Sequence, residues 1–343
     1  MISVIIPIYN AGQTLPAAIE SIIRQTYGKF ELLLIDNNST DGSFDLCQRY
    51  QNRDSRIRLL SCRRPGVSAA RNTGIDAAAG EYLFFMDADD DLAAHALETL
   101  IKAAVKTSAD VVIPNIFHHS RTLRGKEKTM HHTIRPALLN TPSDMAGSFA
   151  RLMSTYLYFF PFKLYTAALI RQHNIYFTES VSLGEDLLFN LAVLKKAQRI
   201  QLLAEPLYHY RYGGGLNSCY RNDFVHEKRA LEAHLYDYLK AHGLAANASC
   251  LNQFGRVLLN DMYACIDNIF KAEILHKSAA LSQIHEICTT GYTSLLYSSR
   301  LTGRLTLMQK AFYLLCRHDC CRIIYYFFHL RRHLTGLITR KQH

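Results

Sequence analysis

Short apolar runs and amphipathic segments alternate along the first 114 residues. The apolar runs are rich in β-branched residues, which is typical of buried strands in a parallel sheet. We predict strands at 2–9, 30–36, 57–62, 81–87 and 110–114. Helical patterns lie between them, at 15–26, after 41–43, at 66–80 and at 92–107. This alternation predicts a doubly wound α/β sheet.

The pattern changes after the fifth predicted strand. Residues 115–150 are polar and rich in histidine, and we predict a loop or insertion there. The segment SLGEDLLFN begins a helix with Glu185 and Asp186 in its first turn, where the helix dipole favours anions. The later part of the chain is mainly helical. We therefore predict an α/β domain over 1–215 and a helical region with a basic tail over 216–343.

Polar residues follow several of the predicted strands. The first strand ends in Pro7 to Tyr9, the second in Asp36 and the fourth in a group of carboxylates that begins with Asp87. In doubly wound sheets, ligands bind at the carboxyl ends of the strands. The sequence therefore predicts one ligand crevice to which these strand ends contribute.

The acidic run EYLFFMDADDD, residues 81–91, allows several interpretations. It is a solvated loop that caps the next helix, or a site for a cation that offsets the clustered charge. A calcium loop is disfavoured because Leu92 stands where that loop needs glycine. An aspartate-dependent phosphatase would use Asp87 as its nucleophile. Alternatively, Asp87 and Asp89, which flank Ala88, hold Mg²⁺ or Mn²⁺ and through it a nucleoside diphosphate.

The ordered motifs of the first domain resemble those of the family 2 glycosyltransferases with the GT-A fold. The matching segments are SVIIPIYN, LLLIDNNSTDGS, PGVSAARNTGIDAAAGEYLFFMDADDD, SLGEDLLFN and LYHYR. The resemblance covers residues 1 to about 215. It implies a nucleotide-diphospho-sugar transferase with a mixed doubly wound sheet and a divalent metal. The implied reaction is an inverting transfer of a sugar, favoured to come from a UDP-sugar, to a glycan or lipid-linked acceptor of surface polysaccharide or lipopolysaccharide synthesis. The sequence lacks the QxxRW-type motif and the long apolar segments of processive synthases, so we expect a non-processive enzyme.

The same resemblance assigns nucleotide contacts to three parts of the domain. Pro7, Ile8 and Tyr9 match the turn that contacts the nucleoside. Asp36 matches the carboxylate that binds the uracil edge, a role that suits a hydrogen-bond acceptor. Arg71 matches an arginine of the nucleotide site, and we expect it to pair with Asp87 or with a phosphate.

The resemblance also implies a set of metal and phosphate contacts. Asp87, Ala88 and Asp89 match the DxD motif, which binds the nucleotide diphosphate through Mn²⁺ or Mg²⁺. We expect Asp89 to be the direct metal ligand. In LYHYR, His209 is predicted to be a further metal ligand and Arg211 a phosphate contact.

The acidic pair at the start of the later helix supplies the predicted catalytic group. Asp186 matches the general base that takes the proton of the acceptor hydroxyl, and Glu185 is its neighbour in the motif. A non-catalytic sugar-nucleotide-binding protein is the remaining alternative. The intact Asp186 argues against it.

Charge is concentrated at the C-terminal end of the chain. The net charge is +10, and residues 300–343 contain nine Lys or Arg and one acid, Asp319, which leaves 30 basic and 28 acidic residues in 1–299. Such a distribution argues against a nucleic-acid partner. Aromatic residues interleave with the arginines of this tail, which favours peripheral contact with an anionic membrane surface.

The remaining composition points to the cell interior. The N-terminus MISVIIPIYN lacks the features of a signal peptide, and no apolar run is long enough to span a membrane. The nine cysteines include no CxxC pair, which favours a reducing compartment. We predict a cytoplasmic location, at the inner face of the membrane. The segment CRHDCC at 316–321 is not predicted to bind metal, because no second ligand pair follows it.

Overall fold

The chain folds into two compact units, Met1–Gly213 and Gly214–His343. A computed structural model describes the following residues: 1–121, 127–131, 134–141, 144, 148–149, 152–153, 161–181, 183–211, 220–272, 275–298 and 305–340.

The first unit is an α/β domain. Its strands, within the described residues, are β1 Ile2–Ile8, β2 Phe30–Asp36, β3 Ile57–Ser61, β4 Tyr82–Phe85, β5 Asp91–Leu92, β6 Val111–Arg121, β7 Glu127–His131, β8 Ala137–Leu139, β9 Leu164–Thr166 and β10 Ile200–Arg211. Its helices, on the same basis, are α1 Leu15–Ile23, α2 Ser43–Gln51, α3 Val67–Ala77, α4 Ala96–Thr107, α5 Ala167–Gln172 and α6 Glu185–Lys196.

The described strands form one sheet, in the order β3-β2-β1-β4-β9-β6-β10-β5, with β7 beside β6 and β8 beside β10. β1 pairs in parallel with β2 and β4, whereas β9 runs antiparallel to β4 and β6. The sheet is therefore mixed, and the predicted doubly wound α/β class is confirmed. Because β1, β2 and β4 are parallel neighbours, their carboxyl ends meet at one edge of the sheet.

The prediction of a loop or insertion at 115–150 was wrong for much of that segment. β6 continues to Arg121, and the segments 127–131 and 137–139 are also strands. β7 pairs with the second half of β6, and β8 pairs with β10. Long-range pairing therefore makes strands of a segment whose polar residues give no clear alternation.

Helix α3 lies against the centre of the sheet because of a glycine. A Cβ atom on Gly74 would stand 2.4 Å from the Cγ2 atom of Ile5, which is buried in β1. Real Cβ atoms do not approach a neighbour so closely. Any larger residue at this position would push α3, which carries Arg71, away from β1.

The second unit is helical in its described residues. Its helices are α7 Phe224–Ala241, α8 Ala248–Ile269, α9 Lys277–Thr289, α10 Thr293–Ser298, α11 Leu307–Arg317 and α12 Cys321–Arg340. A buried stripe at helical spacing runs along α8 through Phe254, Leu258, Met262 and Ile269. Asn247 caps α8 by accepting hydrogen bonds from the backbone N–H groups of two residues that follow it. Among the helices described, none combines the length and the hydropathy that crossing a membrane would require.

Candidate active site

A buried arginine connects two of the predicted motifs. Arg71, on α3, is 2% exposed. Its Nη2 donates to Asp87 Oδ1 at 2.9 Å, and its Nη1 donates to Asp186 Oδ1 at 2.6 Å. Glu185 Oε1 lies 3.6 Å from the same Nη1. The structure thus brings the end of β4 and the start of α6 together around one guanidinium group, and the expected pairing of Arg71 with Asp87 is present.

Aromatic packing fixes α6 in this position. Phe177 and Phe189 stack with ring centroids 4.0 Å apart, and Phe85 of the sheet meets both rings edge-on. The Arg71 guanidinium lies over the Phe177 ring, 5.1 Å from its centroid. These contacts leave little freedom for the first turn of α6, so its carboxylates are held in place before any ligand binds.

The charged groups around Arg71 shift the pKa of Asp186. Burial raises the pKa of Asp186 above its usual range, and the neighbouring Glu185 and Asp87 carboxylates add to this effect. Arg71 opposes this rise in pKa, because its guanidinium group stays charged and favours the ionised form of the carboxyl. A carboxylate with a raised pKa is a better proton acceptor than an ordinary one, which suits the role of a general base.

The acidic cluster that follows β4 consists of Asp87, Asp89 and Asp90. One carboxylate oxygen from each lies within 4.8 Å of the others. Asp90 is buried, and it accepts hydrogen bonds from the Tyr208 hydroxyl at 2.6 Å and from the Arg211 backbone N–H at 2.7 Å. These two hydrogen bonds from β10 hold the Asp90 side chain in place. Asp89, in contrast, is exposed.

The donor set of this cluster fits a divalent cation. Although Asp89 as a whole is exposed, partial burial of its carboxyl group, followed by the Asp87 charge, raises its pKa. The same two causes raise the pKa of Asp90 well above its usual range. Burial and the neighbouring Asp87 charge both disfavour the ionised forms of Asp89 and Asp90, and a bound cation would offset that cost. Carboxylate oxygens at this spacing are the ligands that Mg²⁺ and Mn²⁺ prefer.

Asp36 borders a cavity at the end of β2. Asp36 is buried, and its Oδ1 atom has no hydrogen-bond partner among the described residues. The cavity measures about 480 Å³, and polar side chains that include Asn38, Ser39 and Thr40 also line it. An orphaned buried acceptor beside a polar cavity is suited to a ligand that donates a hydrogen bond.

The turn after β1 divides its residues between the core and the surface. Ile8 is buried, and its carbonyl accepts a hydrogen bond from the Asn37 backbone N–H. Pro7 is half-buried, and Tyr9 is 67% exposed. Of the predicted nucleoside contacts, Tyr9 therefore offers a whole ring to a ligand. Ala88, between the two aspartates of the DxD motif, is buried.

His209 and Arg211 lie on β10, and their side chains contact residues outside the acidic cluster. His209 Nδ1 is 2.9 Å from His119 Nε2, and its ring stacks on Phe117. Among the described residues, the acidic cluster that could hold an ion does not include His209. The Arg211 Nε donates to Asp91 Oδ2 at 2.7 Å. A metal role for His209 and a phosphate contact for Arg211 stay predictions.

Two residues of the site were missed by the sequence analysis. Lys163 is buried, which lowers its pKa to about 7, and the charge of Asp186 opposes the shift. Tyr208 donates to Asp90, accepts from the Asp87 N–H at 3.1 Å, and stacks on Phe162. A lysine within the apolar segment FFPFKLY was the available signal for Lys163.

The first half of the chain is similar to known glycosyltransferases. The model of the family described as Glycosyl transferase family 2 matches residues 3–173. EpsJ of Bacillus subtilis, an uncharacterised glycosyltransferase, is 31% identical over 212 residues, which cover 62% of this chain and 61% of EpsJ. TarS of Staphylococcus aureus, a poly(ribitol-phosphate) β-N-acetylglucosaminyltransferase, is 29% identical over 262 residues, which cover 73% of this chain and 44% of TarS.

Solved structures share the fold. TarS residues 1–349 in complex with UDP superpose with a TM-score of 0.61 at 20% identity, over 94% of this chain and 91% of that one. The mannosyltransferase PcManGT of Pyrobaculum calidifontis, in complex with GDP-mannose and Mn²⁺, gives 0.50 at 16% identity, over 94% and 86%. The chain spans less than two thirds of the length of the two curated relatives. With the family model on residues 3–173 and the predicted motifs in place, the chain belongs to glycosyl transferase family 2.

Proposed function

We propose that the chain is an inverting, non-processive glycosyltransferase. It moves a sugar from a nucleotide-diphosphate sugar, with UDP as the favoured nucleotide, to a hydroxyl group of an acceptor. The observation that carries this proposal is the guanidinium of Arg71, which joins Asp87 of the acidic cluster to Asp186 of α6. A cation-binding cluster and a carboxylate with a raised pKa then face the same reacting centre, as transfer from a diphosphate requires.

The cavity beside β2 is the proposed nucleoside site. The unpartnered Oδ1 of Asp36 accepts a hydrogen bond from the uracil N3–H in this proposal. Tyr9 provides an exposed ring at the adjacent strand end. The UDP complex of TarS, which has the same fold, supports UDP as the nucleotide.

Asp87 and Asp89 are the proposed ligands of Mn²⁺ or Mg²⁺, with Asp89 as the direct one. When bound, the ion offsets the charge that develops on the departing diphosphate. Asp90 orients the cluster through Tyr208, since both of its oxygens already accept hydrogen bonds. The Mn²⁺ complex of PcManGT supports a divalent ion in this fold.

Asp186 is the proposed general base. As the acceptor oxygen attacks the anomeric carbon, its proton passes to the Asp186 carboxylate. The new bond joins that oxygen to the anomeric carbon, and the bond from the carbon to the phosphate oxygen breaks, so the nucleoside diphosphate leaves. Attack from the face opposite the leaving group inverts the configuration. Arg71 holds Asp186 in the orientation that accepts the proton, and Glu185 contacts the same guanidinium group.

The proposed acceptor is a glycan or a lipid-linked saccharide of surface polysaccharide or lipopolysaccharide synthesis. The name of TarS gives poly(ribitol-phosphate) as the substrate of that relative, which supports a surface polymer as the acceptor class. The phosphatase alternative has no support in the comparisons, because the family match covers the segment that contains Asp87. A non-catalytic sugar-nucleotide-binding protein remains an outcome of the test below.

Helix α12 is the proposed contact with an anionic membrane surface. Arg322 stands on one side of an exposed apolar face, and Arg331, which also pairs with Asp267, stands on the other. The face itself carries Ile323, Tyr326, Phe327 and Leu330. Apolar side chains between arginines fit the boundary between acyl chains and anionic headgroups.

Vesicle sedimentation tests this contact. The wild-type chain is expected to sediment with phosphatidylglycerol vesicles and not with phosphatidylcholine vesicles. Phe327→Glu should weaken sedimentation, whereas Val105→Glu, which changes an exposed apolar residue of α4, should not. Equal sedimentation of both variants would contradict a role for α12.

The catalytic proposal is tested by the release of UDP from UDP-glucose, UDP-galactose and UDP-N-acetylglucosamine, with Mn²⁺ present and water as acceptor. We expect one donor to be preferred. Asp186→Asn should slow release by roughly 10²–10⁴-fold, because it removes the base, and should leave UDP affinity within about threefold. Asp237→Asn, on the exposed surface of α7, is the matched control. Full activity of Asp186→Asn would overturn the base assignment, and UDP binding without release from any donor would favour the non-catalytic alternative.

A further inference from the structure

A second group of metal-ligand side chains lies in the helical unit. His285 is on α9, Asp319 is in the turn between α11 and α12, and Cys321 is the first residue of α12. One ligand atom from each lies within 4.8 Å of the other two. The imidazole of His285 on α9 therefore lies close to a carboxylate and a thiol that are two residues apart in the sequence.

The contacts within this group show how the ligands are aimed. His285 Nδ1 is 2.7 Å from Asp319 Oδ2, and the Cys321 thiol donates to Asp319 Oδ1 at 2.9 Å. In a tetrahedral zinc site, bond lengths of 2.0–2.3 Å put neighbouring ligand atoms roughly 3.3–3.6 Å apart. His285 and Cys321 contact different oxygens of Asp319, so an ion bound through one of these oxygens requires the three side chains to move apart and the carboxylate to turn.

Two further thiols belong to α9 and α11. Cys288, one turn after His285 on α9, is hydrogen bonded to Cys316 near the end of α11, and both are buried. The sequence predicts no metal site at 316–321, because no second ligand pair follows that segment. The fold brings one further ligand, His285 of α9, to this segment.

We propose that His285, Asp319 and Cys321 bind a divalent transition-metal ion of the zinc class, with water in the fourth position. The Cys321 thiol gives its proton to solvent, and the resulting thiolate forms the bond to the metal. Thiolate and imidazole select zinc over Mg²⁺ or Mn²⁺, so this site differs in chemistry from the all-oxygen cluster of the first unit. The ion would tie α9 to the turn that joins α11 and α12.

Cobalt(II) is the probe, because a thiolate bound to cobalt gives a charge-transfer band in the near ultraviolet. The metal-free, fully reduced full-length chain is titrated with cobalt chloride. We expect the band to appear at one equivalent and to be displaced by zinc. The acidic cluster of the first unit has only oxygen ligands, so cobalt bound there gives no such band.

Matched cysteine variants locate the site. Cys321→Ser should lose the band. Cys320→Ser should keep it, because the Cys320 thiol points to the His318 carbonyl and is not one of the proposed ligands. His285→Asn, at an exposed position that folding tolerates, should weaken cobalt binding at least tenfold. Zinc should raise the melting temperature of the wild type and of Cys320→Ser but not of Cys321→Ser. A folded wild type without the band, or a Cys321→Ser variant that keeps it, would overturn the proposal.

Discussion

Replacing Arg71 by methionine removes the cation at the centre of the candidate site. Methionine has a similar length and fills most of the same volume, so the main change is the loss of charge and of two short hydrogen bonds. Arg71 is 2% exposed, and its partners Asp87 and Asp186 lie at 2.9 and 2.6 Å. Without it, these carboxylates and Glu185 face one another with no cation between them.

The magnitude follows from the burial of this ion pair. Removing one partner of a buried pair costs roughly 3–5 kcal/mol, because the remaining carboxylates, which are only partly exposed, lose their counter-ion. The free energy of unfolding of a domain is about 5–15 kcal/mol, so the variant should lose a large share of its stability. Arg24→Met is the control, since Arg24 forms an exposed pair with Glu20 that is worth about 1 kcal/mol or less.

Urea unfolding followed by circular dichroism, at pH 8 and at pH 5, measures both the loss and its cause. Arg71 opposes the rise in the pKa of Asp186, so its removal raises that pKa further. A raised pKa in the folded state means that the folded variant gains stability as pH falls and protonates the group. The loss of unfolding free energy in the variant, relative to the wild type, should therefore be larger at pH 8 than at pH 5. A loss below about 1 kcal/mol, or one independent of pH, would refute this reasoning.

Two further predictions concern the elements that position the site. Gly74→Ala should lower the free energy of unfolding by about 1–3 kcal/mol in urea titrations, because its Cβ would meet Ile5 at 2.4 Å. Gly28→Ala, where no atom lies within 4 Å of the new Cβ, is the control, and equal stability of the two variants would contradict the argument. Tyr208→Phe should cost roughly 1–3 kcal/mol in the same assay, because the buried Asp90 loses a 2.6 Å donor. An unchanged unfolding midpoint would show that this hydrogen bond contributes little.

Much of the site was predictable because its polar residues stand at the ends of predicted strands. Asp36 and Asp87 come directly after apolar runs, and parallel neighbours bring such ends to one edge of a sheet. The helix that begins at Glu185 was equally clear from the acids in its first turn and the apolar spacing after them.

Contacts between distant segments were not predictable in the same way. Arg71 and Asp186 are 115 residues apart, and their bond depends on how α6 packs against the sheet. In the sequence, Tyr208 is one of several neighbouring aromatic residues. Its hydrogen bond to Asp90 depends on the pairing of β10 with β5. Local patterns predict elements, whereas the packing of those elements decides which side chains meet.

The central claim is that the acidic cluster holds a divalent ion and, through it, the diphosphate of a nucleotide. Isothermal titration calorimetry of UDP, with and without Mn²⁺, tests it most directly. We predict binding at least about tenfold tighter with Mn²⁺, and loss of this difference in Asp89→Ala while the variant stays folded. UDP binding of equal strength with and without Mn²⁺, or no binding to the folded wild type when Mn²⁺ is present, would contradict the account.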